Sequence, residues 1–276
     1  MILLNFEYCD PFCDNDISIW IKLEHCARYL FACDFLRGEA KTIADISCAN
    51  GYGSAILAEH FNHVFAVDRN EQYLSSTHLN KNNITPIYID LDSEDLGSIL
   101  GPVDAIVSFE TIEHLKMPFT FLKRAHDILS KEGWLLLSFP NANYEKINND
   151  GTNNNPYHLH TFSVKNIIHI LRRNGFDIED VLGQPVSNSL YISQQDFLSH
   201  NEDISDTDIN KLFRHDDKSI RTLSRLFAYP EGKYTTICDI EKYGYKKVFS
   251  PRIANNNNIH DIRNSYSYII VARKKV

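Results

Sequence analysis

Short, apolar strand patterns alternate with helical patterns along more than half of this chain, and that alternation limits the fold more than any other feature. A helical spacing runs from a cap at Asp16 through Ile17, Trp20, Ile21, Leu23 and Tyr29 to about Leu36. Strand patterns follow at Thr42–Ile46, Val64–Asp68, Pro86–Asp90, Val103–Phe109 and Trp134–Ser138. Helices are expected between them at Ser54–His60, Glu71–Asn80 and Phe119–Leu129, the last with Gly133 as its stop. Strands that alternate with helices in this way predict βαβ units and a parallel sheet, hence an α/β protein. A helix at Ser163–Arg173 and a strand at Phe176–Leu182 continue the series, and Tyr266–Arg273 reads as the last strand.

The remaining segments are less regular. Ala142–Pro156 is rich in Asn and reads as a flexible loop. Gln184–Asn264 carries helical patterns at Asp206–Phe213 and Ser219–Leu226, and an irregular connection of that length inside a domain is usually functional. The expected organisation is an N-terminal helix region (1–38), an α/β core (39–183), a cap inserted on the substrate side (184–264) and a final core strand (265–276).

Composition narrows the function. Among 276 residues, 43% are hydrophobic and 23% charged, as in ordinary globular proteins. The net charge of −8 argues against a nucleic-acid partner, since phosphate neutralisation needs Lys and Arg. A patch at Lys246, Lys247 and Arg252 reads as solvated surface. No apolar run approaches the roughly 20 residues that span a bilayer. The six cysteines form no CxxC pair, and Cys9 with Cys13 lacks a second thiolate pair for zinc. The start of the chain is too polar for a signal peptide, so reduced thiols and a cytoplasmic protein are expected. Oligomeric state is left open, a homo-oligomer being one outcome.

The strongest chemical signal is Asp45-Ile46-Ser47-Cys48-Ala49-Asn50-Gly51-Tyr52-Gly53-Ser54, between the first strand and the next helix. Small residues let a backbone approach a ligand, and a helix N-terminus offers unpaired N–H groups. A second strand ending in Asp68 adds a carboxylate suited to a ribose diol. These features alone suit any nucleoside cofactor.

In order along the chain, the motifs resemble those of class I S-adenosylmethionine (SAM)-dependent methyltransferases. Asp45-x-Ser47-x-Ala49-x-Gly51-x-Gly53 resembles their glycine loop, with Ser47 and Ala49 at two positions that are often glycine. Asp68 resembles the ribose-binding acid, and Asp92 the acid that meets the adenine amino group, with Asp90 as competitor. Phe109-Glu110-Thr111-Ile112-Glu113-His114-Leu115 resembles a motif of ubiquinone-type and sugar-modifying members, and Gly133–Asn141 their fifth strand. His25-x-x-Arg28-Tyr29 and Asn155–Ser163 resemble segments of methyltransferases from bacterial surface-polysaccharide clusters. The resemblance runs from about His25 to Leu182, plus the last strand.

It implies a Rossmann-like, doubly wound, mostly parallel sheet with a final antiparallel strand. It implies SAM as cofactor, held by Arg28, Tyr29, Asp45, Ser47, Ala49, Gly51, Gly53, Asp68, Asp92 and Glu110. The implied reaction is O-methylation of a sugar, nucleotide sugar or glycan. A hydroxyl acceptor loses a proton as it attacks, so a histidine base is sought among His158, His160 and His114, the first two leading. No metal is assigned. Two alternatives remain: metal-assisted methylation of an RNA terminus through Glu110, Glu113, His114 and His160, and a SAM-binding protein without catalysis.

Overall fold

The structure is a computed structural model that describes residues 10–11, 19–142, 145, 147–183 and 267–276. The Asp16 cap, Cys9, Cys13 and the helices expected in 184–264 lie outside the described residues. The elements are α1 (Ile19–Leu36), β1 (Thr42–Ile46), α2 (Tyr52–Ala58), β2 (His63–Asp68), α3 (Glu71–Leu74), β3 (Ile84–Tyr88), α4 (Leu96–Ile99), β4 (Val103–Ser108), α5 (Pro118–Ile128), β5 (Leu129–Pro140), α6 (Val164–Arg173), β6 (Phe176–Gly183) and β7 (Ser267–Lys274). Single 3₁₀ turns occupy Thr77–Leu79 and Ile112–His114.

The strands form one sheet in the order β3-β2-β1-β4-β5-β7-β6. Strands β1 to β5 are parallel, and β7 runs antiparallel to both β5 and β6. Both faces are covered, because neighbouring residues of one strand enter different cores. Ile43, Leu136, Ile269 and Val271 pack with Tyr29, Leu30 and Leu36 of α1 and with Ile56 and Leu57 of α2. Ala44, Leu135, Leu137 and Ile270 pack with Phe121 and Leu122 of α5 and with Ile167 and Leu171 of α6. Burial on both faces explains why these strands read as continuous apolar runs. A fully buried side chain such as Phe121 contributes about 1.5–3 kcal/mol.

Two expected elements differ. The helix over Glu71–Asn80 stops at Leu74, because the Ser75 hydroxyl turns back onto the Glu71 carbonyl and Ser76 caps a separate 3₁₀ turn through His78 N–H. Such hydroxyls compete with the helix ladder. Gly133 is not a helix stop: α5 ends at Ile128 and passes straight into β5. The register moves from Val103 opposite Leu129 to Ala105 opposite Trp134, so residues 130–133 form a bulge. Gly133 lies in it, packed 3.1 Å from the Asp104 carbonyl by the position its Cβ would take.

Strand order reverses between β1 and β4. In open α/β sheets ligands bind outside the carboxyl ends of the strands at such a switch point.

Candidate active site

A cavity of about 270 Å³ lies at this place. Its wall is built from the segments that follow successive strands: Ser47 and Ala49 after β1, Asp68, Arg69, Asn70 and Tyr73 from β2 onward, Ile89, Asp90 and Leu91 after β3, and Glu110, Thr111, His114 and Leu115 after β4, with Tyr157.

The carboxylate of Asp68 is fixed by two loops, the one after β1 and its own. Oδ2 accepts from the Ala49 N–H at 2.9 Å and Oδ1 from the Asn70 N–H at 2.9 Å. Each oxygen retains acceptor capacity for a diol. Burial raises its pKa, opposed by these backbone hydrogen bonds. Val67, Ile89, Leu91 and Leu115 supply apolar wall beside it. Asp90 lines the cavity, whereas Asp92 turns away to accept from the Met117 N–H at 3.0 Å. The chain turns there on Asp90 itself, which accepts from the Asp92 N–H and the Ser93 hydroxyl.

The glycine loop divides its labour. Ser47 and Ala49 face the cavity with φ of 60° and 49°. Gly51 and Gly53 are not among its lining residues; they make room for protein. A Cβ on Gly51, itself at φ 79°, would meet Leu79 Cδ2 at 2.1 Å, and one on Gly53 would meet Tyr29 Cζ at 2.0 Å. Tyr29 is buried against Tyr52 and Phe109 and donates to Asp45 Oδ1 at 3.1 Å. Asp45 is fully buried beneath the loop, where Ser54 also donates to its Oδ2 at 2.6 Å. Burial is the main cause that raises its pKa to about 7, with the two hydroxyls opposing. Neither Asp45 nor Tyr29 lines the cavity.

Glu110 does, at φ 49°. Its N–H is held by Ser138, and its Oε1 accepts from Ser138 Oγ at 2.8 Å and Ser267 Oγ at 2.9 Å. Arg28, 2% exposed, stands behind it with Nη2 3.7 Å from Oε1. His25 hydrogen-bonds Tyr52, and burial with the Arg28 charge holds its pKa well below the ordinary value.

Of the three histidines, His114 lines the cavity. His158 meets it edge-on at 4.9 Å, and its Nδ1 is bound to Glu145. His160 lies against Phe162 with a buried Nε2. Asn70, Tyr73, Thr111 and Tyr157 complete the wall without having been singled out in the sequence. Tyr157 sits inside the Asn155–Ser163 motif and Thr111 inside the Phe109–Leu115 motif, both within reach; Asn70 and Tyr73 carry no spacing signal. Glu145 lay hidden in the Asn-rich stretch.

The sheet order, the small-residue loop at the switch point and the carboxylate ending β2 define a nucleoside-cofactor methyltransferase fold. A methyltransferase-domain family matches residues 23–181, more than half the chain, and the chain belongs to that family. Residues 23–181 thus form a methyltransferase domain of the class that uses SAM. A probable SAM-dependent methyltransferase of Mycolicibacterium smegmatis is 26% identical over 150 residues, covering 53% of this chain and 56% of that protein. One of Mycobacterium tuberculosis is 26% identical over 140 residues, 51% and 50% of the two chains. The chain thus spans about half the length of the curated relatives it matches. Among solved structures, a SAM-dependent methyltransferase of Mesorhizobium loti has a TM-score of 0.52 at 17% identity, covering 91% of this chain and all (100%) of that one. The [4+2]-cyclase SpnF also scores 0.52, at 14% identity over 90% and 82%. A cyclase on the same fold shows that architecture alone does not fix a reaction. Among the described residues, no helix is long and apolar enough to cross a membrane.

Proposed function

We propose that this methyltransferase transfers the methyl group to a hydroxyl of a sugar, nucleotide sugar or glycan. The observation that carries the reading is one continuous wall leading from Asp68 through Ala49 and Glu110 to His114 and Tyr157. Asp68 is assigned to the ribose diol, and Ile89, Asp90 and Leu91 to the adenine. Ser47, Ala49 and Glu110 are assigned to the methionine portion, with Arg28 as the buried support of Glu110. Asp45, Tyr29, Gly51 and Gly53 shape the loop from beneath. When bound, the cofactor supplies an electrophilic methyl on a sulfonium; the protein contributes alignment and a fixed field.

The acceptor is assigned to the side of His114 and Tyr157. Tyr157 leaves 38% of its surface exposed there, an apolar ring face with a hydroxyl, which suits a sugar. His114, backed by His158 and Glu145, gives that side its basic atoms, with His160 deeper in the same loop. The segment 184–264 is assigned to the acceptor as its cap.

The test has two stages. Calorimetry with S-adenosylhomocysteine should show binding by the native chain and at least about tenfold weaker binding by Asp68→Asn, the cost of a charged hydrogen-bond acceptor. Turnover is then measured on nucleotide sugars, quinone-type phenols and RNA ends. Transfer to phenols or RNA in preference to sugars would overturn the acceptor assignment.

A further inference from the structure

Glu113, His114 and His158 each bring one potential ligand atom to a common point, all within 4.8 Å of one another. The arrangement has features that ordinary packing does not explain. Glu113 is 1% exposed, and neither carboxylate oxygen has a hydrogen-bond partner among the described residues. Burying a carboxylate without partners costs several kcal/mol in real proteins. The His114 Nε2 stands 3.6 Å from Oε1, too far for a hydrogen bond.

Each imidazole has its Nδ1 held by a neighbouring oxygen. His114 Nδ1 lies 3.0 Å from the Tyr157 carbonyl, which can only accept, so Nδ1 carries the proton and Nε2 is the basic nitrogen. His158 Nδ1 is bound to Glu145 Oε1, which also accepts from Asn153 Nδ2 at 2.6 Å. Glu145 Oε2 is buried without a hydrogen-bond partner. A carbonyl or carboxylate behind Nδ1 is the arrangement that orients metal-binding histidines and sets their tautomer.

We propose that Glu113, His114 and His158 bind a divalent first-row cation of the zinc type, with Glu145 orienting His158. Two imidazoles and a carboxylate suit such an ion better than Mg²⁺ or Ca²⁺, which prefer oxygen alone. Three protein ligands leave coordination positions open, as in catalytic zinc sites. His114 belongs to both cluster and cavity wall, so the cation borders the cavity. This set differs from the one that the motif suggests. Oε1 of Glu110 is engaged by Ser138, Ser267 and Arg28, and the His160 ring packs tilted against Phe162. A role for the cation in holding the acceptor rests on the acceptor assignment above; the binding itself does not.

The test uses the full chain, stripped with a chelator and titrated with Zn²⁺ by calorimetry and with Co²⁺ by visible absorption. One equivalent of each should bind, with Mg²⁺ at least about a hundredfold weaker. His158→Ala and Glu113→Gln should each weaken Zn²⁺ by at least about tenfold, and Glu145→Gln by roughly tenfold. His158 is partly exposed, so its variant should fold even if the Glu113 variant does not. S-adenosylhomocysteine is titrated in parallel. Its affinity should stay within about twofold in the His158 variant, which separates this site from the cofactor reading. No stoichiometric Zn²⁺ binding, or binding unchanged in His158→Ala, would overturn the proposal.

Discussion

Ser267 donates from Oγ to Oε1 of Glu110 across 2.9 Å, tying residues 157 positions apart in the chain. The first residue of β7 thereby braces a carboxylate on the cavity wall. Ser267→Ala removes one of two hydroxyl donors to that oxygen. It should cost about 1–2 kcal/mol of stability and weaken S-adenosylhomocysteine binding severalfold. Thermal melts and calorimetry check both; unchanged affinity would detach Glu110 from the cofactor.

Asp45 makes stability depend on pH. Its carboxyl titrates near 7 when folded and near 3.8 when unfolded. Below the unfolded value both states are protonated, and the favourable contribution is complete. As pH rises toward 7 the unfolded chain releases the proton first, so stability falls, by about 4 kcal/mol in all from this group. Above that the loss is constant. Asp45→Asn should flatten this part of the stability curve, because the Tyr29 and Ser54 hydroxyls can accept as well as donate. Urea titrations from pH 4 to 8 measure the difference.

Gly53→Ala should damage the loop through Tyr29 rather than through the ligand. The new methyl would overlap a ring boxed in by Tyr52, Phe109 and its bond to Asp45. Overpacking of this kind costs about 1–3 kcal/mol. Tyr29→Leu added to Gly53→Ala should recover part of that loss; no recovery in denaturant midpoints would show that the glycine answers to something else.

Ala49→Gly acts in the opposite direction. Ala49 holds a left-handed φ of 49°. Glycine relieves that strain while adding freedom to the unfolded chain, so the net gain should be no more than about 1 kcal/mol. A clear loss of Tm would contradict it.

Excision of residues 184–264 with a short linker tests the cap assignment. Gly183 pairs with Tyr268, so the flanking strands are already neighbours. S-adenosylhomocysteine affinity should survive while acceptor turnover disappears. Equal loss of both would make the segment part of the core.

The positions of β1, β4 and β5 along the chain were legible because these strands are buried on both faces and are mostly apolar. Asp68 was legible because it ends such a strand. Asp90 and Asp92 were harder to separate, since the turn at Asp90 rotates Asp92 toward Met117 within two residues. The loop announced small residues at Gly51 and Gly53, yet what fills the space beside them, Leu79 and Tyr29, comes from distant elements. Glu145 had no periodic pattern around it, and its partnership with His158 exists only once the Asn-rich loop has closed.

The pairing of Gly183 with Tyr268 makes the β6–β7 junction a socket. The entropy of closing a loop between those two residues grows only with the logarithm of its length. If the proposed cap assignment holds, exchanging the sequence between them would retune acceptor recognition while Asp68, Glu110, Ser138 and Ser267 keep their positions.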